Sequence, residues 1–123
     1  MKPNYRYKIM IAEDDRLTRE LFANLLEEKG FHVVAQARDG KEALEVFKNL
    51  EDKPDLVIID YTMPKKNGYE VIEKIMESHS DIRLILISGD VSNAQRAVMG
   101  KNIPFLAKPV EISKILSQIS IIS

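Results

Sequence analysis

The chain of 123 residues contains no cysteine, which excludes disulfides, thiolate metal sites and cysteine nucleophiles and fits a reducing compartment. It also lacks a long hydrophobic run. The apolar stretch behind the basic N-terminus covers only residues 9–12, too short for a signal-peptide core or a membrane span. Charge of one sign is not in excess, since 18 basic residues accompany 19 acidic ones. We therefore expect a cytoplasmic protein with no direct contact to membrane or nucleic acid.

Composition and length are those of one compact domain. Hydrophobic residues make up 45% of the chain and charged residues 30%, which is ordinary for a globular protein. The sequence has no internal repeat, low-complexity tract or interdomain linker. We expect a single domain over residues 1–123, with no output domain in this chain.

Short apolar runs alternate with helical stripes along the chain. The strand-like runs cover residues 9–12, 31–35, 56–59, 82–87 and 103–107. Between and after them, apolar residues recur at three- and four-residue steps, beginning with a stripe that comprises Leu17, Leu21 and Leu25 with Phe22 and Leu26. Five strands that alternate with five helices predict an α/β fold, with a parallel sheet covered by helices on both sides.

Polar side chains follow four of these strands. Glu13 and Asp14 follow the first, Asp60 the third, Ser88 the fourth and Lys108 the fifth. The carboxyl ends of parallel strands meet at one edge of a sheet, so these groups are expected to lie together. Clustered carboxylates suggest a cation between them.

The order of these motifs resembles the receiver domain of two-component response regulators. The likeness comprises Glu-Asp after strand one, Asp60 with Met63-Pro64 and Gly68 behind it, Ser-Gly after strand four and Lys-Pro after strand five. It covers residues 8–119. The fold implied is a three-layer, flavodoxin-like arrangement whose five parallel strands have the order 2-1-3-4-5.

The resemblance assigns the acidic residues to phosphoryl chemistry. Asp60 is the phosphoacceptor, and Glu13 with Asp14 form the acidic pair that holds Mg²⁺ or Mn²⁺. Asp14 and Asp60 are candidate direct ligands, while Glu13 acts through water. The main-chain carbonyl of Thr62 completes the set. Asp15 lies one place past the acidic pair and is expected to start the first helix instead.

The same resemblance implies a switch. Lys108 contacts a phosphoryl oxygen, Ser88 donates to another, and Phe105 fills the space that Ser88 leaves. Phe105 has no hydroxyl, so it acts by packing. The surface that responds is the one formed by the fourth helix, fifth strand and fifth helix.

The segment after Ser88 departs from the family pattern. It is polar and about two residues shorter than in many relatives, so we expect a fourth helix that is short, shifted or loosely ordered. Asp90 is expected at the mouth of the site, where its charge could repel a phosphodonor or orient water.

The implied partners are a histidine kinase or histidine phosphotransfer protein and an unknown downstream protein. The chain is then a phosphoacceptor that assists its own phosphorylation and dephosphorylation, not an ordinary enzyme. Ile121 lies off the apolar stripe of the last helix and is a candidate contact of a phosphorylation-dependent homodimer.

Two other classes stay open. The first is a receiver-like module that binds partners without phosphorylation, which the intact acids, Ser88 and Lys108 disfavour. The second is an enzyme on a similar fold. A phosphohydrolase is disfavoured because no second carboxylate stands two places after Asp60, and a flavin protein because no phosphate-cradling loop follows strand one.

Overall fold

The computed structural model describes the backbone of residues 6–122 and the side chains of residues 6–120, so the side chain of Ile121 lies outside the described part. Strands and helices alternate as predicted. They are β1 (Lys8–Ala12), α1 (Arg16–Glu28), β2 (His32–Ala37), α2 (Gly40–Asn49), β3 (Leu56–Asp60), α3 (Gly68–Ser78), β4 (Arg83–Ser88), α4 (Val91–Val98), β5 (Phe105–Ala107) and α5 (Ile112–Ile122).

The five strands form one parallel sheet in the order β2-β1-β3-β4-β5, which confirms the predicted topology. Strand β3 lies at the centre and is buried along its whole length. In register, Ile58 faces Ile11 on one side and Ile85 on the other. This apolar centre fits a strand covered on both faces, and it leaves only the strand ends for polar chemistry.

Two hydrophobic clusters hold helices against the two faces of the sheet. Helices α2, α3 and α4 pack on one face, where Val57 and Ile59 of β3 contribute to the cluster. Helices α1 and α5 pack on the other face, with Leu56 and Ile58. Burying one such large side chain stabilises the fold by about 1.5–3 kcal/mol. Successive side chains of β3 point to opposite faces of the sheet, so the strand contributes to both clusters and the fold has three layers.

Four helices begin with a side chain that caps the free amides of the first turn. These are Asp15 for α1, Asp39 for α2, Asn67 for α3 and Asp90 for α4. The role of Asp15 as the start of the first helix is thereby confirmed. Each cap contributes about 1 kcal/mol to stability. Because the helices follow parallel strands, the caps lie at the carboxyl edge of the sheet, beside the predicted site.

The predicted apolar stripe of α1 is wrong in part. Leu17 is 76% exposed and Leu21 54%, whereas Phe22, Ala23 and Leu26 face the core. The helix turns about 100° per residue, so a stripe centred on Phe22 and Leu26 leaves Leu21 about 120° and Leu17 about 160° from its centre.

Helix α4 has only eight residues, as its polar sequence predicted. Strand β5 has three residues and begins after Pro104, two residues later than predicted. Within residues 6–122, no helix has the length and apolar content that a bilayer crossing demands.

Candidate acidic site at the carboxyl edge of the sheet

Strands β1 and β3 are neighbours, and their ends bring three carboxylates together. Oxygens of Glu13, Asp14 and Asp60 all lie within 4.8 Å of one another. Glu13 and Asp60 are buried, and Asp14 is exposed. The predicted convergence of the acids is therefore present, with the exposed member on the solvent side.

Glu13 is held by contacts to both its side chain and its backbone. Oε2 accepts a hydrogen bond from the amide of Asp15 at 2.9 Å, and Oε1 lies 2.7 Å from Nζ of Lys108. The Glu13 carbonyl accepts from Nη1 of Arg19 at 2.8 Å, and its amide donates to the carbonyl of Ala37. These contacts fix the strand end that carries the acidic pair.

Asp60 is the last residue of β3. Oδ2 accepts from Nζ of Lys108 at 3.0 Å, and Oδ1 accepts from the amide of Thr62 at 3.1 Å. Burial, followed by the neighbouring charge of Glu13, raises the pKa of Asp60 to about 7, although Lys108 opposes this shift. The pocket therefore concentrates more negative charge than one lysine offsets.

Lys108 reaches the acids from the end of β5, where its amide donates to the carbonyl of Ser88 at 2.9 Å. Its ammonium bridges Glu13 and Asp60. Burial alone would lower the pKa of Lys108, but hydrogen bonds to the two carboxylates outweigh burial and raise that pKa. The lysine is thus held as a cation in this pocket.

Ser88 is fully buried at the end of β4. Its Oγ accepts a hydrogen bond from the amide of Asp90 at 2.8 Å. The Asp90 carboxylate in turn accepts from the amide and the side-chain amide of Asn93, at 3.4 and 2.9 Å. Asp90 therefore links Ser88 to the first turn of α4 as well as lining the site.

An open pocket of about 450 Å³ gives access to these groups; its lining comprises Asp14, Asp60, Thr62, Gly89, Asp90 and Lys108. A Cβ added to Gly89 would meet nothing within 4 Å, so this side of the pocket is open. The carboxylate oxygens of this cluster are the kind of ligand that hard divalent cations prefer.

A family model described as the response regulator receiver domain matches residues 9–120. The chain belongs to this family. This receiver domain is 32% identical over 116 residues to the chemotaxis protein CheY of Bacillus subtilis, covering 93% of the chain and 95% of that relative.

Solved structures agree on fold and family. The CheX-CheY-BeF3-Mg complex from Borrelia burgdorferi is 28% identical with a TM-score of 0.85, covering 95% of this chain and 90% of that one. TrrA from Thermotoga maritima, in complex with Mg²⁺-BeF, is 25% identical with a TM-score of 0.77, covering 94% and 98%. The receiver fold is therefore shared along almost the whole chain.

Phe105 lies away from the acidic pocket of the receiver domain. It is partly buried and packs against the cluster beneath α2, α3 and α4. It pairs in register with Leu86, two residues before Ser88. Phe105 does not line the pocket, so a switch at this residue requires that a structural change at the pocket be transmitted to it through β4 and β5.

Three residues near the site were not predicted as site residues. Arg19 holds the Glu13 carbonyl from the first turns of α1. Asp39 and Gly40 gave only a turn signal in the sequence, yet both contact the loop that follows Asp60. No sequence pattern signals these contacts: those of Asp39 and Gly40 join segments far apart in the chain, and that of Arg19 depends on how α1 is placed after β1.

Proposed function

We propose that this receiver domain accepts a phosphoryl group on Asp60 from a histidine kinase or a histidine phosphotransfer protein. The observation that carries the proposal is the convergence of Asp60, at 3.0 Å from Lys108, with two further carboxylates within 4.8 Å. A carboxylate is a competent nucleophile toward phosphorus, and phosphoryl transfer mainly requires positioning and charge neutralisation. Both requirements match the groups in the pocket.

We further propose that Asp14, Asp60 and the Thr62 carbonyl bind Mg²⁺ or Mn²⁺, with Glu13 acting through water. The excess of carboxylates over Lys108, together with the raised pKa of Asp60, supports a site that gains stability from an added cation. When bound, the cation would offset the negative charge shared by the carboxylates and the phosphoryl oxygens. The pair Glu13 and Asp14 suits this role because one member is buried and the other faces solvent.

In the proposed transfer, one oxygen of Asp60 attacks phosphorus as the P–N bond of the donor phosphohistidine breaks. The electron pair of that bond returns to the imidazole nitrogen. The product is an acyl phosphate on Asp60. Lys108 needs only a small movement to follow the charge from the carboxylate to a phosphoryl oxygen, since its ammonium already lies 3.0 Å from Oδ2.

The proposed signal starts at Ser88. A hydrogen bond from its hydroxyl to a phosphoryl oxygen is worth about 1.5–3 kcal/mol, which shifts a two-state equilibrium about ten- to a hundredfold. Movement of Ser88 would disturb its bond to the Asp90 amide and hence the start of α4. Phe105 would then repack, changing the surface of α4, β5 and α5 that a downstream partner or a second copy of the chain binds.

The decisive experiment is labelling with acetyl phosphate in the presence of Mg²⁺. The wild type should gain one phosphoryl group by mass spectrometry, and Asp60→Asn should gain none. Asp52→Asn is the charge-matched control, because its carboxylate is exposed and pairs with Lys8 far from the pocket. Labelling of Asp60→Asn at the wild-type level would refute the assignment. An unlabelled wild type that still binds partners would favour the module that signals without phosphorylation.

A further inference from the structure

The junction between β2 and α2 touches the loop that follows the phosphoacceptor strand. The amide of Gly40 approaches the carbonyl of Pro64 at 3.4 Å. A Cβ built on Gly40 would lie 2.0 Å from the Lys66 carbonyl oxygen and 2.6 Å from the Lys66 Cβ. Real atoms cannot approach so closely, so any side chain at position 40 must push this loop away.

Asp39 adds a second contact from the same junction. Its side chain is 8% exposed, and Oδ1 accepts the amide of Glu42 at 2.7 Å to cap α2. Oδ2 lies 3.5 Å from Nζ of Lys65. Lys65 itself has φ of +72°, a left-handed conformation that costs free energy for a residue with a side chain. The loop is therefore held in a strained shape at the point where α2 begins.

The loop carries Thr62, whose amide binds Oδ1 of Asp60. Its far end is fixed where the amide of Gly68 donates to the Tyr61 carbonyl at 2.8 Å. Met63 anchors the first part of the loop by packing into the hydrophobic core. Among the described polar contacts, those that join residues 64–66 to another element come from Asp39 and Gly40. Displacing residues 64–66 would shift the adjoining peptide that presents the Thr62 carbonyl.

We propose that Asp39 and Gly40 are positioning residues that hold the loop of residues 61–67 and thereby set the affinity of the acidic site for divalent cations. This inference rests on the proposed metal site. In this role the two residues at the start of α2 act through the loop and do not touch the ion themselves.

The test compares Gly40→Ala with the wild type by titrating Mg²⁺ and following the amide resonances of Tyr61 and Thr62. Because supporting contacts around a metal site typically contribute ten- to a hundredfold in affinity, we expect the Kd to rise about tenfold or more. Metal-free hydrogen exchange at the amides of Lys66 and Gly68 should also accelerate. Phe47→Leu is the control: it loosens the other end of α2 and should leave the Kd unchanged.

Asp39 provides a second route if Gly40→Ala does not fold. Asp39→Ala removes the cap and the partner of Lys65 and should weaken Mg²⁺ binding on the order of threefold, whereas Asp39→Asn keeps a capping oxygen and should lose less. A folded Gly40→Ala, or failing that Asp39→Ala, with wild-type Kd and wild-type exchange would overturn the inference. Wild-type Mg²⁺ binding that persists unchanged in Asp60→Asn would instead overturn the proposed metal site.

Discussion

The charged side chains at the two edges of the sheet are paired in different ways. At the carboxyl edge, Glu13 and Asp60 are buried around a single lysine, Lys108. At the amino edge, Asp55 accepts the amide of Lys8 at 2.8 Å. Nearby, Lys53 donates to carbonyls in the last turn of α2, those of Phe47 and Lys48, and to the carbonyl of the following Leu50 at 2.7 Å.

The difference separates stability from function within one sheet. Charges at the amino edge complete hydrogen bonds that the fold itself leaves open, such as the carbonyls at a helix end. Charges at the carboxyl edge leave negative charge in excess, which a bound cation or a rearrangement can relieve. We therefore expect ligand-dependent stability at one edge and ligand-independent stability at the other.

The largest expected effect comes from removing Lys108. Lys108→Met leaves two buried carboxylates without their cation and should lower the free energy of unfolding of the metal-free protein by about 3 kcal/mol. Saturating Mg²⁺ should restore much of this loss. Urea denaturation with and without Mg²⁺ measures both effects.

Lys53→Met is the matched variant at the other edge. It should cost about 1 kcal/mol through lost hydrogen bonds to carbonyls, with no Mg²⁺-dependent recovery. Equal recovery of both variants by Mg²⁺ would remove the distinction between the edges.

The next effect is a pH dependence. The pKa of Asp60 is raised to about 7 in the folded state from an ordinary value near 4, so the folded protein binds an extra proton between these values. The stabilisation that protonated Asp60 gives the folded state is present in full below pH 4 and is lost as the pH rises toward 7. Metal-free wild type should lose roughly 3 kcal/mol relative to Asp60→Asn over this range, by thermal or urea unfolding. Parallel pH profiles for the two proteins would contradict this.

A smaller effect is expected from Asp55→Ala at the amino edge. Losing the acceptor for the Lys8 amide should cost about 1.5 kcal/mol. The Mg²⁺ affinity, measured by calorimetry, should equal that of the wild type because Asp55 lies at the opposite edge. A tenfold weaker affinity in this variant would show that the two edges are energetically coupled.

The smallest effect tests Asp15, which lies at the carboxyl edge but behaves as a structural residue. Its carboxylate accepts the amide of Thr18 at 2.9 Å and the Thr18 hydroxyl at 2.6 Å. Asp15→Ala should lower the melting temperature slightly through loss of the helix cap, and Asp15→Asn less. Mg²⁺ affinity should not change in either variant. A large loss of affinity in Asp15→Asn would make Asp15 part of the metal site.

The sheet and the acidic cluster were predictable because both follow from local patterns. Buried strands such as β3 are continuous apolar runs, and the parallel topology then gathers Glu13, Asp60 and Lys108 without further information. The helix cap at Asp15 was predictable for the same reason, since its acceptor and donor are three residues apart.

The remaining features depend on how the elements are placed against one another. The approach of Gly40 to Lys66 joins distant segments, and the bond from Arg19 to the Glu13 carbonyl depends on how α1 follows β1. The exposure of Leu17 was also not predictable from the sequence, because periodicity identifies a helix more reliably than it identifies which apolar residues face the sheet.

Gly68 has a consequence for protein design. A Cβ at this position would lie 2.5 Å from the carbonyl oxygen of Asp60 and 2.8 Å from the Tyr61 Cα. Anyone who grafts the acidic constellation onto another α/β scaffold must therefore transplant this glycine with it. A scaffold that carries all the charged groups but has alanine here would build the next helix at the wrong distance from its nucleophile.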